Sequence, residues 1–165
     1  MSIETTKAFF SQYEMTDRIH EFPVSSATVE LAAKALNCPP ELIAKTMSFT
    51  LKKSDKTIVI VIAGDAKIDN SKYKATFNER ATMVKAAQVE EAIGHPVGGV
   101  CPFALKADVD VYLDESLQRF ERVFPACGSP NSAIELTIPE LETYSRYKKW
   151  IDVCKNWQEN KRSLI

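Results

Sequence analysis

Thr57-Ile58-Val59-Ile60-Val61-Ile62 sets five β-branched aliphatic residues in a row behind a threonine. The run has no polar alternate positions, as expected of a strand covered on both faces. Upstream of it, Thr46–Lys52 alternates in character and Ser54-Asp55 marks a turn, so a second strand precedes the first. Downstream, Ala63-Gly64-Asp65-Ala66 is the exit turn. Farther out, short strands are predicted at Arg18–Phe22, Thr82–Val84, Val109–Leu113, Arg122–Phe124 and Ile134–Thr137. Helices are predicted over residues 2–14, at Ala27–Leu36 behind a Ser25 or Ser26 cap, and at Glu41–Ala44 after Pro39-Pro40. Further helices are expected at Asn70–Phe77, Ala87–Ile93, Pro139–Tyr144 and Trp150–Asn160. Strands so far apart in the chain must pair with one another. The expected class is therefore α+β, a single domain with a mixed β-sheet core surrounded by helices.

The bulk numbers are compatible with that. A chain of 165 residues is long enough for one domain with a real core, and 45% hydrophobic with 26% charged residues is ordinary for a globular protein. No apolar run reaches the ~18 residues a membrane span requires. The start, Met1-Ser2-Ile3-Glu4-Thr5-Thr6-Lys7, lacks the basic and apolar segments of a secretion signal. Cys38, Cys101, Cys127 and Cys154 are widely spaced, which does not suit zinc and fits reduced thiols in a cytoplasmic protein.

Net charge is −1, which argues against a general nucleic-acid coat. Its distribution is uneven. Residues 45–85 carry nine basic side chains against four acidic ones, while the rest of the chain is net acidic. Such a segment is either a solvated face or an edge that contacts phosphates.

The sequence bears its most unusual composition at Gly94-His95-Pro96-Val97-Gly98-Gly99-Val100-Cys101-Pro102-Phe103-Ala104-Leu105, with three of the five glycines. Glycine permits positive φ and close approach, and Pro102 stiffens the segment. One reading is a plain turn between helix and strand. The other is a loop whose N–H groups converge on an oxyanion or a carbonyl oxygen. Cys101 lies within it, but only His20 and His95 are present to activate a thiol, and a cysteine hydrolase needs a poised Cys–His pair.

The Gly98-x-x-x-Pro102 spacing, with Gly99 beside it and Phe103 after it, resembles the glycine-proline loop of the YbaK/EbsC family. That family includes the editing domain inserted in bacterial prolyl-tRNA synthetases. Other segments resemble it in the same order: Glu41-Leu42-Ile43-Ala44-Lys45-Thr46 with its lysine, Val109–Leu117, Ala126-Cys127-Gly128-Ser129 and Ala133-Ile134-Glu135-Leu136. The likeness spans roughly residues 25–145, with a C-terminal helix expected at about 147–161. One departure is Gly128-Ser129-Pro130-Asn131-Ser132, where Ser132 stands in the later position of a Gly-x-x-Gly type turn.

The resemblance implies hydrolysis of the ester between an amino acid and the 3′ end of a tRNA, removing a wrongly attached residue. It implies no cofactor and no metal, an aminoacyl-tRNA acceptor end as substrate, and an aminoacyl-tRNA synthetase as a further partner. Lys45, Gly98 and Gly99 would be catalytic. Val100, Cys101, Pro102, Gly128, Ser129, Thr28 and Ser26 would bind substrate, although N-capping also explains Thr28 and Ser26. Lys72, Lys74 and Arg80 of the basic segment would meet tRNA. Lys45 would act as a point charge and not as a base, with water attacking the ester. The alternative is a non-catalytic module that binds an aminoacyl or nucleotide ligand.

Overall fold

A computed structural model describes residues 2–158. In chain order the strands are β1 (Ile19–Glu21), β2 (Ile43–Leu51), β3 (Lys56–Ala63), β4 (Lys67–Ile68), β5 (Asp110–Asp114), β6 (Arg122–Pro125), β7 (Ser132–Ile134), β8 (Leu136–Thr137), β9 (Lys149–Ile151) and β10 (Cys154–Lys155). The α-helices are α1 (Ser2–Ser11), α2 (Val29–Leu36), α3 (Asn70–Phe77), α4 (Val89–Ile93) and α5 (Ile138–Ser145). Six strands form one mixed sheet in the order β8-β6-β2-β3-β5-β9. The β-branched run is its centre. β3 pairs antiparallel with β2 along its whole length and parallel with β5, and Ile58 through Ala63 are 0% exposed. Helices and loops cover both of its faces, as the unbroken apolar run requires.

Two small ladders extend this core. β1 pairs with β7, and an Ala126–Ala133 bridge joins that ladder to the end of β6. β10 pairs with β4. The fold is thus the single α+β domain with a mixed sheet that the sequence predicts.

Several local expectations are corrected. α2 starts at Val29 with Thr28 as its cap, its hydroxyl accepting the Leu31 N–H at 3.1 Å. Ser26 instead donates its N–H to the Pro130 carbonyl at 2.7 Å. The short helix at Glu41–Ala44 is a 3₁₀ turn over Pro40–Leu42, and β2 already begins at Ile43, so Lys45 sits inside the strand. The strand expected at Thr82–Val84 is a single bridge, Met83 to Phe49.

The largest correction is at the C-terminal end, where Trp150, Val153, Cys154 and Trp157 have the spacing of a helical stripe. Here the chain is extended. β9 adds to β5, and the buried Asp114 carboxylate accepts N–H groups from Val153 and Ser116, each at 2.9 Å. Ile151 and Val153 are buried on either side of the exposed Asp152, and the adjacent Cys154 is buried too where β10 begins. The last residues of that expected helix, 159–161, lie outside the described residues.

Candidate active site

The site forms where the sheet is interrupted. On its outer side β2 pairs with β6 only at Ile43 and Ala44, and next meets backbone at the Met83–Phe49 bridge. Between these two contacts the edge of β2 faces open space. A cavity of about 500 Å³ occupies that gap. Its walls come from the start of α2, from Lys45 through Ser48 of β2, from Met83 and Val84, from β6 and β7, and from the glycine loop at Val97, Gly98 and Val100. The lining is mostly aliphatic. Among the described residues that line it, Lys45 alone is charged, and none is a carboxylate, histidine or cysteine.

Lys45 is exposed and, among the described residues, has no ion-pair partner. Its register partner in β3 is the fully buried Ile62, so Lys45 stands on a strand paired to the centre of the core. Gly98 has φ +86, and a Cβ there would lie 3.2 Å from the Ala27 Cβ and 3.3 Å from the Pro130 Cβ. Gly99 serves differently. A Cβ on it would lie 2.7 Å from both the Cα and the N of Ser129, so here the loop backbone rests directly on the 128–130 turn. The Gly99 N–H closes a turn onto the Pro96 carbonyl at 2.9 Å, which takes it out of any convergent set of donors. Gly98 and Val100 remain, both on the cavity wall, with N–H groups that have no acceptor among the described residues.

Cys101 and Pro102 do not line the cavity; both are buried behind it. Burial pushes the Cys101 thiol up to about 12, against the lowering effect of bonds to Phe103 and Thr6. The His95 Nε2 lies 2.7 Å from the Phe103 carbonyl, so it carries the proton and donates it there. That nitrogen is also the one 3.4 Å from the Cys101 Sγ, and it cannot accept the thiol proton. Thiol catalysis has neither access nor base in this arrangement.

The turn at 128–132 supports the loop and stands outside the cavity wall except at Ser132. The Ser129 hydroxyl is taken up by Ser132 Oγ at 2.8 Å and Asn131 Oδ1 at 3.0 Å. Asn131 bonds the Phe22 backbone from both its side chain and its carbonyl. Gly128 and Ser129 therefore hold Gly99 in place, while Ser26 and Thr28 reach the wall itself. Of the basic residues, Lys72 is engaged, its ammonium 3.0 Å from Asp152 Oδ1 and 3.0 Å from the Cys154 carbonyl. Lys74 and Arg80 are exposed and lie outside the lining. Sequence reasoning missed Thr46, Met83, Val84 and Ala126, whose place on the wall follows from where neighbouring strands stop. Among the described residues no His, Cys, Asp or Glu side chains group to hold a metal ion, and no helix is long and apolar enough to cross a membrane.

Comparison with known proteins gives this geometry a context. Residues 24–144 match the model of the aminoacyl-tRNA editing domain family. The chain is 51% identical over 158 residues, 96% of its own length and 100% of the relative's, to "Uncharacterized protein YwhH" of Bacillus subtilis. It is 27% identical over 128 residues, 76% of this chain and 77% of the other, to "Putative Cys-tRNA(Pro)/Cys-tRNA(Cys) deacylase EbsC" of Enterococcus faecalis. In fold it matches a solved structure described as a "putative trans-editing enzyme for prolyl tRNA synthetase". The TM-score there is 0.82 at 22% identity, over 93% of this chain and 97% of that one. With the family model spanning the cavity, Lys45 and the glycine loop alike, the chain belongs to the aminoacyl-tRNA editing domain family.

Proposed function

We propose that the protein is a free-standing deacylase that removes amino acids from misacylated tRNA by water attack on the aminoacyl ester. The observation that carries this reading is that Lys45, Gly98 and Val100 line one cavity, in a chain of the editing family. Attack by water on the ester carbon puts negative charge on the carbonyl oxygen. In this reading its stabilisation falls to the Gly98 and Val100 N–H groups, which have no acceptor among the described residues. The bond from carbon to the ribose oxygen then breaks. One water proton goes to that oxygen, leaving a free ribose hydroxyl and a free amino acid. No side chain of the lining suits the role of general base, so the substrate's own vicinal hydroxyl is the group left to orient the water. Lys45 supplies a positive point charge for the terminal nucleotide.

The acceptor end is proposed to run over the basic segment, past Lys74 and Arg80 and then Lys85, which sits between the wall residues Val84 and Ala86. Lys72 is a weaker candidate because Asp152 already holds it. The synthetase that made the error, and a cytoplasmic setting, belong to the same proposal. A second reading, a binding module without catalysis, is favoured because no carboxylate or histidine among the described residues lines the cavity to transfer a proton. Incubation with tRNAs charged with non-cognate amino acids separates the two. The deacylase reading expects release of free amino acid well above the spontaneous rate for at least one pair. Tight binding of every charged tRNA with no release would favour the module.

A further inference from the structure

The gap in the sheet has a consequence for how the substrate is held. In an antiparallel ladder, alternate residues turn their N–H and C=O groups toward and away from the partner strand. On β2 the outward positions are identified by bonding: the Ser48 carbonyl accepts the Val84 N–H at 3.2 Å, and the Thr50 N–H donates to the Thr82 carbonyl at 2.8 Å. Thr46, two residues before Ser48, turns its N–H and C=O the same way. No strand residue stands opposite it on that side, since β6 stops pairing at Ala44. Thr46 lines the cavity, and its Oγ1 is buried with no hydrogen-bond partner. Among the described residues, all three polar groups of this residue thus lack a protein partner.

We propose that the aminoacyl group of the substrate fills this gap as a single-residue strand opposite Thr46. An amino acid in an antiparallel pair exchanges two bonds with the residue across from it. Here the α-amino group donates to the Thr46 carbonyl, and the ester carbonyl accepts the Thr46 N–H. That N–H becomes a third donor to the oxygen on which charge develops, beside Gly98 and Val100. Among the described residues the wall holds no carboxylate to pair with the amine, and in this proposal that role falls to the Thr46 carbonyl. The site therefore selects acyl groups that carry a free α-amine, whatever their side chain. The inference rests on the deacylase reading and deepens it.

Binding of stable amide mimics tests the pairing apart from catalysis. Calorimetric titration would compare 3′-(L-alanylamino)-3′-deoxyadenosine with 3′-(propionylamino)-3′-deoxyadenosine, which differ only in the α-amine. The alanyl compound is expected to bind about tenfold tighter, the worth of one well-made hydrogen bond to a charged or polar group. The same ratio is expected in Thr46→Val, which keeps the main chain and the β-branched shape but loses the hydroxyl. Equal affinity of the two ligands would overturn the pairing and leave the deacylase reading standing. Collapse of the ratio in Thr46→Val would assign recognition of the amine to the hydroxyl and overturn the main-chain claim. Failure to bind either ligand would remove the aminoacyl pocket, and the pairing with it.

Discussion

At the residue scale, the two adjacent glycines of the loop have different tasks, and alanine should separate them. Gly98 stands at φ +86 on the cavity wall, where a side chain costs about 1–2 kcal/mol in backbone conformation. Gly98→Ala is expected to lower kcat, with at most a modest drop in thermal midpoint. Gly99→Ala would drive a Cβ into the Ser129 backbone, so both the midpoint and kcat should fall. Identical effects of the two changes would show that the loop acts as one unit and that the division is wrong. Cys101→Ala should leave deacylation within a few-fold of wild type, because the thiol is buried and has no base. An activity loss of several orders of magnitude would return the thiol to the mechanism. Composition could single out this loop but could not orient it. Whether Cys101 faced the ligand or the core depended on Phe103 being drawn fully into the interior, which a local sequence does not show.

At the scale of elements, the loop is anchored by His95, which is 0% exposed and donates to the Phe103 carbonyl. Burial holds its pKa below the ordinary 6.5, outweighing the raising effect of the Phe103 bond. The unfolded chain therefore takes up this proton more readily than the folded one. The corresponding stability is complete above pH 6.5 and is lost as the pH falls below it. Melting curves between about pH 7.5 and 5 should show a declining midpoint. His95→Gln, whose amide can still donate to the Phe103 carbonyl, should flatten that decline; an unchanged slope would mean other groups set it. Elements also show where sequence reading succeeds and where it stops. The run Ile58–Ile62 was legible because five buried β-branched residues leave no other reading. Trp150 to Trp157 was not, since its helical spacing is overruled by pairing to β5 and by the buried Asp114 carboxylate holding the Val153 N–H. The edge at Thr46 was hidden for a similar reason. It exists because β6 ends and the Met83 bridge begins on either side of it, far away in sequence.

At the scale of the whole molecule, the uneven charge is the basis of the proposed path for the tRNA body, with only its acceptor end entering the cavity. Phosphate contacts release counterions, so affinity should fall with salt by a log–log slope of about 0.7 to 0.9 per contact. Lys74→Glu with Arg80→Glu is expected to weaken tRNA binding and make that slope shallower, while hydrolysis of a minimal aminoacyl-adenosine stays near wild type. Lys72→Glu should behave differently, lowering the thermal midpoint by setting a carboxylate beside Asp152. Equal losses on tRNA and on aminoacyl-adenosine in the first double variant would remove the proposed path. The central claim is that one cavity, with Lys45 and the glycine loop on its wall, hydrolyses the aminoacyl ester. Single-turnover deacylation of a misacylated tRNA by wild type and Lys45→Ala, with circular dichroism to confirm equal folding, tests it most directly. Rapid release by wild type and a rate reduced at least a hundredfold in Lys45→Ala are expected; equal rates in two equally folded proteins would contradict it.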